Sequence, residues 1–256
     1  SPVHFVDSEV AGPYWSICTY KDIMEIDKNH LVFSSEPSIV SFDPEEDMPL
    51  KMFIAMDPPK HTIQRKTVEP AMAKENMSYY SDLIRKRTIT VLDRLPINQP
   101  FDWVKHVSVE LTTLMLVTLF DFNYKDKGKL TRWSDVATAI PGGGIVDSIE
   151  QRYEEMGECL NYFTTLWNQR VNSSPKSDLI SMMAHSPHTR NMDPMEYLGN
   201  LVLLIVGGND TTRNSMSGGV LALDMFPSEY EKLRANPGLI KSMVPEIIRW
   251  QTPLAY

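Results

Sequence analysis

Leu201-Val202-Leu203-Leu204-Ile205-Val206-Gly207-Gly208-Asn209-Asp210-Thr211-Thr212 sets two glycines and four polar side chains directly behind a run that reads as buried helix. Core packing gives no reason for the switch. A glycine inside a helix costs roughly 1 kcal/mol relative to alanine, and a buried acid or hydroxyl without a partner costs a few kcal/mol more, on the order of 2 to 7. Something must occupy the groove left by the missing side chains and use the polar groups beside it.

The flanks belong to a true helix. Asp193-Pro194-Met195-Glu196 reads as an N-cap, a proline at the first helical position and a capping-box glutamate. Apolar positions resume at Met216, Val220, Leu221 and Leu223, and Pro227 closes the element. One long helix is therefore expected from Pro194 to Met225.

The chain has 256 residues, enough for a sizeable core. No stretch approaches the roughly 18 to 20 uncharged apolar residues of a membrane span. No signal-peptide pattern opens the sequence, which starts at Ser1 rather than methionine, so a cytoplasmic protein is expected. A net charge of -8 argues against nucleic acid, because phosphate binding needs a concentrated basic face. Arg85-Lys86-Arg87 stands among acids and reads as solvated helix surface. Cys18 and Cys159 form no disulfide framework and lack C-x-x-C metal spacing, so both read as inert thiols. Fifteen methionines suit an adaptable apolar pocket as well as ordinary core filling.

Along the chain, Val3 to Val6 and Tyr14 to Thr19 are strand-like and Tyr20 to Lys28 is helical, so residues 1–40 should hold a small sheet and one helix. Residues 41–59, rich in proline and acid, read as a long loop over a site. Helical patterns follow at Lys60 to Met72, Lys74 to Arg94, Val104 to Leu119, Lys129 to Thr138, Ile149 to Asn172, Pro194 to Met225, Ser228 to Ala235 and Leu239 to Trp250. Pro141-Gly142-Gly143-Gly144 and Asn172-Ser173-Ser174-Pro175 mark breaks, the first either a hinge or a plain surface turn. The expected fold is mainly α with a minor β-sheet, in one domain.

Three motifs carry chemistry. In Asp57-Pro58-Pro59-Lys60-His61-Thr62-Ile63-Gln64-Arg65, His61 and Arg65 are four apart and share a helix face. They can bind a carboxylate or dianion, or can be an ordinary surface pair. In the broken helix, Leu203, Gly207 and Thr211 point one way, with Gly208 and Asp210 flanking. The hydroxyl and the acid can relay protons to a buried reactive group, whereas a merely kinked helix with a satisfied threonine leaves Asp210 unexplained. Glu246 and Arg249 are an acid and a base three apart, common at surfaces and worth under about 1 kcal/mol there.

In this order the motifs resemble the cytochrome P450 family. D-P-P-x-H-x-x-x-R is similar to its C helix, G-G-x-D-T-T to the oxygen-activating groove of its I helix, and E-x-x-R to its K helix. The resemblance covers essentially the whole chain. Pro13-Tyr14-Trp15-Ser16, Phe33-Ser34-Ser35-Glu36 and Leu204 to Asn214 resemble bacterial alkane-hydroxylating members in particular.

The resemblance implies heme b as cofactor. His61 and Arg65 would hold its propionates, Gly207 and Gly208 would admit dioxygen and substrate, and Asp210 with Thr211 would deliver protons during oxygen activation. Leu203, Val206 and the tail Pro253-Leu254-Ala255 would line the substrate pocket, and Glu246 with Arg249 would be a structural ion pair. It further implies a monomeric monooxygenase acting on the terminal carbon of medium-chain alkanes, with O2 and with electrons from NADH through ferredoxin reductase and ferredoxin. The family's iron-ligating cysteine follows its E-x-x-R helix by several tens of residues, beyond Tyr256, and neither Cys18 nor Cys159 matches it; the family's first helix has no counterpart either. The expectation is a P450 domain truncated at both ends and inactive alone, with the helical bundle at 60–256. Terpenes, steroids or fatty acids are the alternative substrates. A non-enzymatic helical ligand-binding or regulatory protein is the alternative of another class.

Overall fold

A computed structural model describes residues 1–9, 12–39 and 50–254. Most of the proline-rich and acidic loop expected over the site, residues 41–49, lies outside them, as does Ala255. The described part of that loop includes a 3-10 turn at Phe53–Ala55. No helix among the described residues is long and apolar enough to cross a membrane.

The chain starts with an antiparallel hairpin of β1 (Val3–Ser8) and β2 (Gly12–Ile17), paired from Val3 opposite Ile17 to Ser8 opposite Gly12. Phe5 and Trp15 face each other across it with ring centroids 5.4 Å apart. Helix α1 (Tyr20–Lys28) follows, its first turn capped by the Thr19 side chain, which accepts from the Asp22 amide. Then come α2 (Lys60–Val68), α3 (Lys74–Asp93), α4 (Val109–Leu119), α5 (Gly128–Thr138), α6 (Ile149–Val171), α7 (Leu179–His185), α8 (Pro194–Met225), α9 (Pro227–Ala235) and α10 (Ile240–Gln251).

Most expected boundaries fall within two residues of these, and the differences have local causes. The helix expected at Lys60 to Met72 ends as α-helix at Val68, and Glu69–Met72, which contains Pro70, winds on as a 3-10 turn. The first residues of the helix expected at Val104, Val104–Ser108, form a π-turn leading into α4. Helix α7 was not expected at all. Its residues Leu179, Ile180, Ser181, Met183 and Ala184 are buried, so it shows no polar face and no period. Asp178 caps it, accepting from the Ser181 amide at 2.9 Å.

Helix α8 runs from Pro194 to Met225 as the sequence predicts, with Asp193 accepting from the Glu196 amide at 2.8 Å. The capping box is only half formed. The Glu196 side chain turns away from the helix start to Gln64 and Lys60 of α2. Arg87 also departs from the surface reading of its basic cluster. Half-buried, it donates to the Leu114 carbonyl and to Thr118 Oγ1, both at 2.6 Å, and ties α3 to α4.

The main core gathers α4, α5, α6 and α8 around Leu116, Phe120, Leu130, Phe163, Leu201 and Ile205, all buried. Close approach to α8 depends on its glycines. A Cβ on Gly199 would stand 2.2 Å from the Lys51 carbonyl oxygen, one on Gly208 2.8 Å from Leu116 Cδ2, and one on Gly218 2.0 Å from Gln251 Oε1. A Cβ on Gly207 would meet nothing within 4 Å.

These neighbours set the sign of a glycine replacement. Helix propensity favours alanine by about 1 kcal/mol, while forcing atoms into a filled contact costs about 1 to 3 kcal/mol. Gly199→Ala should therefore lower stability, because the opposing atom is backbone, and Gly207→Ala should leave it unchanged or raise it. Chemical denaturation of the two variants in parallel checks the contrast.

Candidate functional site

The site is built on the exposed side of α8 where Gly207 is the residue without a side chain. Leu203, Gly207 and Thr211 follow each other at intervals of four, on one face. The Thr211 hydroxyl donates to the Gly207 carbonyl at 3.0 Å, so its proton is held along the helix and its oxygen keeps acceptor capacity. Leu203 stands half-buried on this face, whereas Val206 packs against the main core. Leu254 is largely exposed.

The two glycines divide their work. Gly207 faces open space; Gly208 is turned to α4 and lies against Leu116. Asn209, expected only as part of the polar run, is fully buried and bonded to Thr112 Oγ1 of α4 at 2.7 Å.

Asp210 is half-buried and ion-paired with Arg213 one turn on, and Arg213 reaches Asp135 of α5 at 3.0 Å. Burial pushes the Asp210 carboxyl above the ordinary range, Arg213 opposes the rise, and the like charge of Asp135 adds to it. A carboxyl that takes up a proton more readily than usual, next to a hydroxyl on the open face, has the chemistry of a proton relay. Sequence reading missed Arg213 and Asp135, whose pairing needs two helices that are far apart in the chain.

On α2, His61 is half-buried with its ring 6.3 Å from that of Phe53, and Arg65 is exposed. Neither side chain makes a hydrogen bond or ion pair with another described residue. Two basic side chains left unpaired in a chain of net charge -8 fit a ligand that carries carboxylates. The next residue, Gln64, is buried and faces α8 instead, through Glu196 and Asn200. An amide directly before the apolar run that leads to Gly207 was the available signal for Asn200.

Asp57, just before α2, is anchored by residues 34–36, part of the Phe33-Ser34-Ser35-Glu36 stretch. Its carboxylate accepts from the Ser34 hydroxyl at 2.6 Å and the Ser35 amide at 2.9 Å, and its own amide donates to Glu36 Oε1 at 3.2 Å. The Ser34 and Ser35 bonds hold the Asp57 carboxyl below its usual range. Glu246 and Arg249 pair through two bonds of 2.7 and 2.6 Å within α10, both exposed.

The chain matches no family model. Among curated proteins it is similar to linalool 8-monooxygenase of Pseudomonas putida, 27% identical over 269 residues, covering 100% of this chain and 66% of that protein. It is also similar to the steroid C26-monooxygenase of Mycolicibacterium smegmatis, 26% identical over 272 residues, covering 99% of this chain and 62% of that one. The chain thus spans about two thirds of the length of these relatives. Among solved structures it superimposes on cytochrome P450-153 from Novosphingobium aromaticivorans with a TM-score of 0.88 at 45% identity, over 98% of this chain and 64% of that one. CYP153D17 from Sphingomonas sp. PAMC 26605 gives a TM-score of 0.87 at 50% identity, with the same coverage.

The fold is that of a cytochrome P450. These relatives and neighbours, together with the ordered motifs, strongly support a place in the cytochrome P450 superfamily.

The Asp57 clasp gives a pH dependence whose sign is fixed. Its folded carboxyl ionises below the ordinary 3.8, so the clasp's contribution is present above about pH 4 and is lost as pH falls towards the folded value. Asp57→Ala should flatten the fall in unfolding midpoint between about pH 5 and pH 3. An unchanged slope would show that the clasp adds nothing.

Proposed function

We propose that this chain forms the oxygen-activating part of a heme monooxygenase that hydroxylates unactivated C–H bonds, with medium-chain alkanes attacked at the terminal carbon. The observation that carries the reading is the open Gly207 face, with the Thr211 hydroxyl on the next turn and the unpaired His61 and Arg65 on α2. The reaction balances as RH + O2 + 2 electrons + 2 protons giving ROH and water. When bound, heme supplies the redox chemistry that splits dioxygen. Electrons would come from NADH through ferredoxin reductase and ferredoxin, in a cytoplasmic enzyme.

The chain's own residues have separate tasks. Arg65 and His61 would bind the propionates as cationic and hydrogen-bonding donors. Gly207 leaves room where any side chain would project into the groove. Thr211 Oγ1 holds a proton against the Gly207 carbonyl and can turn it towards the groove, while Asp210, freed from Arg213, can replace that proton. The oxygen atom leaving as water needs both protons at the right moment. Leu203 keeps that surface apolar, which suits an aliphatic substrate and excludes water. Gly208 packs on α4 and supports the groove rather than opening it.

Support for the alkane preference comes from the resemblance of Leu204 to Asn214 and from the 45% and 50% identical neighbours. A second reading, hydroxylation of a terpene or steroid, is favoured by the names of the 27% and 26% identical relatives. A panel of alkanes, monoterpene alcohols and sterols, scored by substrate-induced spectral shift and product, separates the two.

In the protein that contains this chain, Arg65→Ala should lower the heme retained by about tenfold, the effect of losing a charge-assisted pair of ~1.5 kcal/mol, with the product profile unchanged. Thr211→Ala should divert electrons from product to hydrogen peroxide, with Thr211→Ser retaining coupling. Unchanged coupling of NADH to product in Thr211→Ala would remove Thr211 from the relay.

A further inference from the structure

Between α2 and the first turns of α8 lies a buried chain of polar groups that the monooxygenase reading does not use. The Phe53 amide donates to Asn200 Oδ1 at 2.8 Å, Asn200 Nδ2 donates to Gln64 Oε1 at 3.0 Å, and Gln64 Nε2 donates to Glu196 Oε1. Lys60 Nζ closes the far end on Glu196 Oε2 at 3.2 Å. Asn200 is 1% exposed, Gln64 3% and Glu196 8%.

The polarity of this chain is forced. A backbone N–H can only donate and an ionised carboxylate can only accept, so both side-chain amides between them have one permitted orientation. Each bond then demands its own direction and length. An apolar contact of the same size would let α2 slide or rotate on α8; this one permits a single placement. The backbone is fitted to match, since Gly199 lets the Lys51 carbonyl lie directly on α8 beside Asn200.

The placement matters because of what stands beside it. Gln64 adjoins Arg65 and follows His61 by three residues, and Phe53, whose amide begins the chain, has its ring against the His61 imidazole. On α8, Asn200 precedes Gly207 by seven residues, two turns on nearly the same face, or about 10 Å along the axis. The bonded residues thus connect the two basic side chains to the open face at Gly207.

We propose that Asn200, Gln64 and Glu196 are positioning residues: they fix α2 on α8 so that His61 and Arg65 stand ready for a carboxylate-bearing ligand in the groove. The inference rests on the heme reading for the ligand but not for the placement of α2. Two measurements keep them apart.

Hydrogen exchange on the protein without heme tests the placement. Asn200→Leu and Gln64→Leu should each speed exchange of the α2 amides from Gln64 to Val68 by about tenfold, the effect of losing a buried bond. Leu130→Ala, a core variant in α5 with a comparable loss of unfolding midpoint, should not. If Asn200→Leu does not fold, Asn200→Asp keeps the acceptor for the Phe53 amide and Gln64→Leu stands alone. Unchanged α2 exchange in Gln64→Leu, or equal acceleration in Leu130→Ala, overturns the proposal.

Hemin titration followed at the Soret band tests the consequence. Asn200→Leu should weaken binding about tenfold with His61 and Arg65 intact. In that background Arg65→Ala should add little, whereas in the parent it should cost its full effect. Equal costs of Arg65→Ala in both backgrounds overturn the link between the polar chain and the basic pair. If Arg65→Ala has no effect even in the parent, the propionate role fails, and the exchange result still decides whether these residues place α2.

Discussion

Backbone-close packing along α8 is the constraint from which the rest follows. A buried helix of this length must meet the segment before α2, then α4, then α10, and at Gly199, Gly208 and Gly218 the neighbour already occupies the space of a Cβ. At Gly199, where the opposing atom is backbone, glycine is a condition of contact, whereas at Gly208 and Gly218 the Leu116 and Gln251 side chains fill the space; the cost in helix propensity is offset by the burial it permits. Gly207 carries the same cost with no neighbour to explain it. Among the α8 glycines it alone faces open space, which is what the proposed groove needs.

The charged groups obey a similar division. The His61 and Arg65 side chains on α2 have no hydrogen-bond or ion-pair partner among the described residues, while the acid on α8 is held by Arg213 and, through it, by Asp135. Holding Asp210 in an ion pair next to a groove keeps its charge from entering an apolar space unpaired, which would cost several kcal/mol or shift its ionisation. The pair is only half-buried, so exchange with solvent remains open to it. The carboxylate proposed to supply protons is thus the one whose charge Arg213 compensates.

Much of this was legible in the residues. The span of α8, its Asp193 cap, the hairpin and most helix boundaries follow from period, capping chemistry and proline, which act within a few residues. Gly207, Asp210 and Thr211 stood out because they broke an apolar helical pattern, and His61 and Arg65 because they share a helix face four residues apart behind a proline pair. Three features did not. Helix α7 has no polar face, so its period is silent. Glu196 satisfies the capping-box pattern while its side chain bonds elsewhere, since a charged partner on α2 competes better than an amide at the helix start. Arg87 looks like surface in its basic cluster, yet two acceptors on α4 draw it inward.

The sequence by itself determined a mainly helical chain, a long helix broken by glycine, and the residue types able to bind carboxylates and move protons. Only the tertiary structure decided which glycine faces open space and which one packs, that Arg213 joins Asp210 to Asp135, and that Gln64 and Asn200 bond α2 to α8. The physical reason is range. Propensity and capping are settled by neighbours along the chain, whereas the meaning of a missing Cβ or a buried amide depends on atoms brought beside it from residues tens to more than a hundred positions away.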